Sequence, residues 1–104
     1  LQHRAVLRVA DLALDLLKRT RRHAGQEIRL LPKEFLLLEV LMRAEGRVVT
    51  QMMLLAQVWD FNFDPHTSVV ETHVSRLRSK IDKPFETASI HTVKSFGYAV
   101  HGAA

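Results

Sequence analysis

The residues able to do chemistry gather in one stretch of this chain. Between Ser68 and Asp82 the sequence SVVETHVSRLRSKID sets Ser68, Thr72, Ser75 and Ser79 at helical spacing around Arg76. A helix turns by about 100° per residue, so Val70, Val74, Leu77 and Ile81 fall within about 60° of one another. The hydroxyls and Arg76 take the opposite side. His73 and Lys80 occupy one flank, with Glu71, Arg78 and Asp82 on the other. A solvated face is usually built from Glu and Lys. Small hydroxyls instead let a helix approach a surface closely, and an Arg among them can make a bidentate contact to guanine O6 and N7. Taken alone, the pattern also fits an exposed amphipathic helix.

Little else invites chemistry. The six histidines, His3, His23, His66, His73, His91 and His101, are scattered. His66 and His73 lie two helical turns apart, about 10 Å along the axis, too far to share one metal ion. There is no HExxH, Gly-rich phosphate loop or GxSxG. With no Cys, disulfide scaffolds, thiolate zinc sites and cysteine nucleophiles are excluded together. No enzymatic activity, metal or cofactor is expected.

The elements that must hold Ser68–Asp82 in place fall into three zones. Residues 6–30 contain short β-prone pieces, Leu7–Ala10, Leu12–Leu14, Lys18–Arg22 and Glu27–Leu30, broken at Asp11, Asp15 and Ala24-Gly25-Gln26. They predict an antiparallel meander, although Leu12–Leu17 also fits a helix on pattern alone. Pro32 suits a first helical position, and the Phe35–Met42 run that follows, stopped at Gly46, is apolar enough to be buried on most sides. Arg47-Val48-Val49 reads as a short extended link, and Thr50 as the cap of a second helix reaching about Trp59. Asp60–Pro65 is turn-rich. Ser68-x-x-Glu71 has the form of a capping box, with Thr67 and Asp64 as alternative caps. Lys83-Pro84 ends the third helix, and residues 90–100 predict a hairpin whose three-residue turn ends at Gly97, where a left-handed conformation is expected. Two helices joined by a turn, then a hairpin with Lys94 beside its tip, is the order of a winged helix: the third helix enters a major groove and the wing reaches the adjacent minor groove.

A length of 104 residues with 47% hydrophobic and 25% charged residues suits one globular domain, and no apolar run reaches the roughly 18 residues of a membrane span. The net charge of +4 is concentrated at the N-terminal end, where residues 1–31 hold seven basic and three acidic side chains. A solvated hairpin or strand face explains that excess better than a phosphate-contacting arm, which is the alternative. Leu1–Ala5 is expected to be a linker remnant, and residues 6–104 the domain proper.

Residues 70–81 (VETHVSRLRSKI), with His91-Thr92-Val93-Lys94 and Gly97-Tyr98, resemble the C-terminal effector domain of OmpR/PhoB-type two-component response regulators. Leu31-Pro32-Lys33-Glu34-Phe35, the Gly46–Thr50 step and Val58-Trp59-Asp60 match the same family in colinear order, so the resemblance runs from about Leu7 to Val100. It implies an α+β fold: a winged helix-turn-helix with an N-terminal four-stranded antiparallel sheet, a three-helix core and a C-terminal β-hairpin wing. The implied function is sequence-specific binding of double-stranded DNA and transcription regulation in the bacterial cytoplasm. The implied partners are an N-terminal receiver domain in cis, a sensor kinase that phosphorylates it, RNA polymerase, and a second copy on tandem half-sites. By position, Thr72, Ser75, Arg76 and Ser79 would face bases. Ser68, His73, Arg78 and Trp59 would touch the DNA backbone, with Thr92 and Tyr98 bracing the wing there. Lys94 and Phe96 would lie at the minor groove. The loop Asp60, Phe61, Asn62, Phe63, Asp64, Pro65 and His66 would meet the polymerase.

The chain departs from the family pattern at several of these points. Lys94 stands where Arg is usual and lacks its planar fork. Ser95-Phe96 replaces the usual Gly and small residue at the tip, leaving Phe96 either an apolar plug against sugar or a partner, or a ring folded back on the domain. Leu31 replaces a Thr or Ser cap, at a cost of about 1 kcal/mol. Gln51-Met52 replaces an Arg-Glu pair. The rival function is a winged helix for protein contact, for which an acidic third-helix face would have been expected. RNA fits poorly, because its deep, narrow major groove does not admit a helix.

Overall fold

The structure, a computed structural model, describes residues 6–9, 12–15, 20–23, 26–59, 68–85 and 89–101. Four strands come first: β1 Val6–Val9, β2 Leu12–Asp15, β3 Thr20–His23 and β4 Gln26–Glu27, antiparallel in the order β1-β2-β3-β4. In β2, Leu12 and Leu14 are fully buried while Ala13 between them is only partly covered. This alternation is the two-residue period of a strand, and it decides the Leu12–Leu17 ambiguity against helix. Leu7 lies opposite Leu14, so one sheet face carries three leucines to the core. The third strand begins two residues later and ends one later than the sequence pattern indicates, and the fourth is shorter and begins one residue earlier. Beyond Glu27 the chain leaves the ladder, though Ile28 and Leu30 still point inward.

Helix α1, Pro32–Arg43, buries Phe35, Leu37, Leu38, Leu41 and Met42. Pro32 opens it because its missing N–H would be unpaired in a first turn anyway. The expected lack of a side-chain cap at Leu31 is observed, but the Leu31 N–H is not abandoned: it donates to Glu34 Oε1 at 2.9 Å. The helix stops as Glu45 and Gly46 turn left-handed (φ 52° and 87°), a double step for which Gly46 is well suited.

Strand β5, Val49–Thr50, follows directly and is where sequence reading saw only a link. Thr50 then caps α2, Gln51–Val58, its Oγ1 accepting from the Met53 N–H at 3.1 Å. Leu54, Leu55 and Val58 face the core and Trp59 closes the helix. Helix α3 spans Ser68–Ile81, followed by a tight 3-10 turn, Lys83–Phe85. Strands β6, Ile90–Val93, and β7, Gly97–Val100, form the hairpin, and β5 pairs with β7 to give a three-stranded sheet in the order β5-β7-β6. Helix α1 packs on α2, α3, β1 and β7, so the core joins both sheets through one helix. This is a winged helix-turn-helix domain.

The turn at the wing tip differs from expectation in one respect. The left-handed residue is Ser95 (φ 69°), not Gly97. Gly97 is needed for a different reason: it pairs with Thr50, and a Cβ there would lie 2.0 Å from the Val49 carbonyl oxygen and 2.8 Å from Thr50 Cα. These are backbone atoms that cannot swing aside. Gly97→Ala should therefore separate β5 from β7 and lower stability by about 3 kcal/mol; urea denaturation giving a loss below about 0.5 kcal/mol would show that the strands shift apart freely.

Candidate functional site

Helix α3 divides as its sequence pattern requires. Val70, Val74, Leu77 and Ile81 are each no more than 1% exposed, whereas Thr72, Ser75, Arg76 and Ser79 face solvent. The Ser79 hydroxyl donates back to the Ser75 carbonyl at 3.1 Å, so its own oxygen remains outward as an acceptor. No Glu, Asp or Lys interrupts these four positions. The result is a weakly charged strip of small hydroxyls with one guanidinium.

The flanks hold the strip in place. On one side His73 lies between α3 and the end of α2: its Nδ1 is 2.8 Å from the Val69 carbonyl, and its ring meets Trp59 edge-on with centroids 5.0 Å apart. A carbonyl can only accept, so Nδ1 carries a proton, and Nε2 is not engaged by that bond. On the other side Arg78 Nη2 donates to the Ile90 carbonyl (3.2 Å) and to Thr92 Oγ1 (2.6 Å), with its guanidinium 5.9 Å from the centre of the Tyr98 ring. Asp82, buried just beyond the helix, accepts from the Ser89 and Ile90 N–H groups at 3.0 and 3.1 Å. The wing is thus bolted to α3 at both Arg78 and Asp82.

Two residues of α1 that sequence reading does not place at the site anchor the other helices, Glu34 holding the end of α3 and Lys33 the end of α2. Glu34, fully buried, accepts from Lys80 Nζ at 2.6 Å, while Lys33 Nζ donates to the Val58 carbonyl at 2.6 Å. A pattern search sees Lys33-Glu34 as an ordinary polar first turn. Only the tertiary meeting with Lys80, 46 residues on, gives Glu34 its burial.

The residues expected at the backbone are distributed unevenly. Thr92 and Lys94 are exposed and His73 is half-buried, whereas Trp59 and Tyr98 are 8% and 5% exposed, so their aromatic bodies belong to the core. Burial and the nearby Glu71 push the Tyr98 phenol above its ordinary pKa, against smaller opposing effects of Arg78 and a hydrogen bond from Gln51. Phe96 does not fold back: it is 67% exposed at the wing tip. Ser68 is described through its backbone alone, and Asp60–His66 lies outside the described residues. His91 and His101 stack on each other at the base of the hairpin, centroids 3.7 Å apart, away from the tip.

A helix with a small polar outer strip, tied on its reverse to a three-helix core and on its flank to a wing, defines a winged-helix domain of the transcription-regulator class. The family model described as "Transcriptional regulatory protein, C terminal" matches residues 25–100. The chain belongs to that family, as the C-terminal domain type of OmpR/PhoB response regulators. It is 47% identical over 95 residues to the transcriptional activator protein IrlR of Burkholderia pseudomallei, covering 91% of this chain and 42% of that protein. It therefore spans under half the length of the curated relatives it matches. In structure it is similar to the response regulator DrrB of Thermotoga maritima, an OmpR/PhoB homologue (TM-score 0.84, 32% identity, 95% of this chain and 45% of that one). It is also similar to the DNA-binding domain of Klebsiella pneumoniae RstA in complex with the RstA box (TM-score 0.82, 25% identity, 94% and 98%). Among the described residues no helix is long and apolar enough to cross a membrane.

The Glu34–Lys80 pair makes an asymmetric prediction. Lys80→Met strands a buried carboxylate and should cost about 2 kcal/mol, between the values of exposed and buried pairs. Glu34→Gln keeps an oxygen for the Leu31 N–H and leaves Lys80, 36% exposed, to water, so it should cost less. Denaturation of both singles and the double should show the double below the sum; strict additivity would mean the two are uncoupled.

Proposed function

We propose that this domain binds double-stranded DNA in a sequence-specific manner as the output domain of a two-component response regulator, with α3 in the major groove and the β6–β7 wing at the minor groove. The observation that carries this reading is the exposed Thr72-Ser75-Arg76-Ser79 strip on a helix whose reverse is fully packed. Such small side chains let the helix lie close to the floor of a major groove and leave a single strong donor fork, Arg76, to select guanine. Support comes from the similarity to the RstA domain, whose structure is a complex with its DNA box.

In this reading the contacts separate by task. Arg76, helped by Thr72, Ser75 and Ser79, specifies bases. Ser68, His73 and Thr92 contact phosphates and set register. Arg78, Trp59 and Tyr98 meet the backbone from sites already fixed by intramolecular contacts, so they contribute pre-organisation as much as contact. Lys94 supplies charge at the minor groove. The wider assembly follows the family: a receiver domain in cis phosphorylated by a sensor kinase, dimerisation on tandem half-sites, and contact of the Asp60–His66 loop with RNA polymerase, in the bacterial cytoplasm.

Two substitutions test the division of labour. Arg76→Ala should weaken binding to the cognate duplex by roughly 1–3 kcal/mol and relax preference at one base pair. Equal weakening on cognate and random duplexes would make Arg76 a phosphate contact instead. Lys94→Ala should lower affinity on every duplex and reduce the slope of log K against log salt by about one unit; an unchanged slope would remove Lys94 from the interface. Affinity that stays weak and flat between about 50 and 200 mM salt would sink the DNA reading itself.

A further inference from the structure

We propose that Phe96 is a wedge: at the tip of the wing it enters the minor groove, partly unstacks one base step, and makes the domain favour a flexible pyrimidine–purine step where the wing lands. The inference rests on the DNA-binding reading above and deepens it, because it assigns an element of sequence choice to the wing rather than to α3.

Phe96 is the most exposed of the large apolar side chains among the described residues, at 67%. Most of its surface is open to solvent, so its ring gains from any apolar surface it can reach. Its position is fixed rather than loose. The Phe96 N–H donates to the Val93 carbonyl at 2.9 Å, and Ser95 takes the left-handed turn conformation that puts Phe96 after the bend. Below it, the wing has three strands rather than two, with Gly97 pressed against the Val49 carbonyl so closely that no Cβ fits. Arg78 and Asp82 join the base of the hairpin to α3. A wedge needs such a base, since a loose hairpin would bend before base pairs unstacked.

The occupant follows from the neighbouring charge and from continuity with α3. Lys94, two residues before Phe96, is exposed and cationic, which suits a phosphate-lined groove. Lys gains less than Arg from the enhanced potential of a narrow A-tract groove, because it lacks the planar fork. An inserted phenyl ring needs the opposite kind of DNA: a step that opens at low cost, such as TA or CA/TG. Lys94 and Phe96 together therefore shift the wing away from reading a narrow groove and towards reading deformability.

The test is selection from a random duplex pool with the wild-type domain, Phe96→Ala and Phe96→Leu, followed by end-to-end fluorescence transfer on the best wild-type duplex to measure bending. The wild type should show a pyrimidine–purine step at a fixed distance from the Arg76-dependent bases, favoured by roughly fivefold or more over an A-tract. Phe96→Ala should lose that preference and bend the duplex less, while Phe96→Leu retains part of both. Thermal unfolding should not change, because the side chain is exposed. The same step preference and bend in wild type and Phe96→Ala would overturn the wedge and leave the DNA reading intact, and so would a uniform loss of affinity with the bend preserved. A wild-type pool with no consensus would overturn the DNA reading first.

Discussion

The geometry of the domain depends on one carboxylate. Glu34 sits in the first turn of α1, fully buried, and its Oε1 receives both the Leu31 N–H and the ammonium of Lys80, while Oε2 has no hydrogen-bond partner among the described residues. A buried carboxylate is expensive, and Lys80 is itself 36% exposed, so the pair is a weak source of net stability. Its contribution is orientation. Lys80 lies in the last turn of α3, where the helix dipole favours a cation, and Glu34 lies in the first turn of α1, where it favours an anion. Lys33 next to it donates to Val58, one of the carbonyls that α2 leaves unpaired at its C-terminal end. One turn of α1 therefore gathers the C-terminal ends of both other helices. An apolar contact of equal energy could slide along a groove. Two directed donors to fixed oxygens cannot.

The same constraint is repeated on the wing side with different chemistry. Arg78 uses one nitrogen for both a strand carbonyl and the Thr92 hydroxyl, and Asp82 receives two successive backbone N–H groups at the start of β6. Helix and hairpin are thereby held in one relative position before any partner arrives. Residues with this task are easily mistaken for contact residues, because Arg, Thr and Tyr near a helix face are what an interface would also use. Their intramolecular hydrogen bonds show that positioning comes first: a partner reaching Arg78 finds a guanidinium whose direction is already set.

Much of this was legible in the sequence. The sidedness of α3 follows from 3.6-residue periodicity, and burial of Val70, Val74, Leu77 and Ile81 agrees with it residue by residue. The caps did as well: Thr50 caps α2 and Leu31 offers no side-chain cap to α1. What could not be read were the features made by distant partners. Val49–Thr50 is too short to show any strand period and becomes a strand because β7 lies beside it. Gly97 reads as a turn residue from its position after Ser95-Phe96, yet its glycine is required by the approach of Val49 from another element. Glu34 carried no local sign of burial at all. In each case the determining atom is more than twelve residues away, beyond the reach of any periodicity.

The placement of charge gives the last step. The net +4 is weighted towards the first 31 residues, while the outward strip of α3 carries only Arg76 between hydroxyls. If affinity and specificity came from the same side chains, the strip would be crowded with Lys and Arg, and it would bind any phosphate surface as readily as a chosen one. Under the proposed DNA-binding function, separating them would let the long-range field attract a polyanion without biasing which bases are read, and would leave the choice to a few short-range contacts. Contacts of that proposed kind would discriminate only if their geometry were fixed before binding, since a helix free to shift would let Arg76 accept several registers at similar energy. The buried Glu34–Lys80 pair and the Arg78–Thr92 clamp fix the helix that carries Arg76. The modest charge of α3 and the unusual effort spent on anchoring it are therefore two sides of one arrangement.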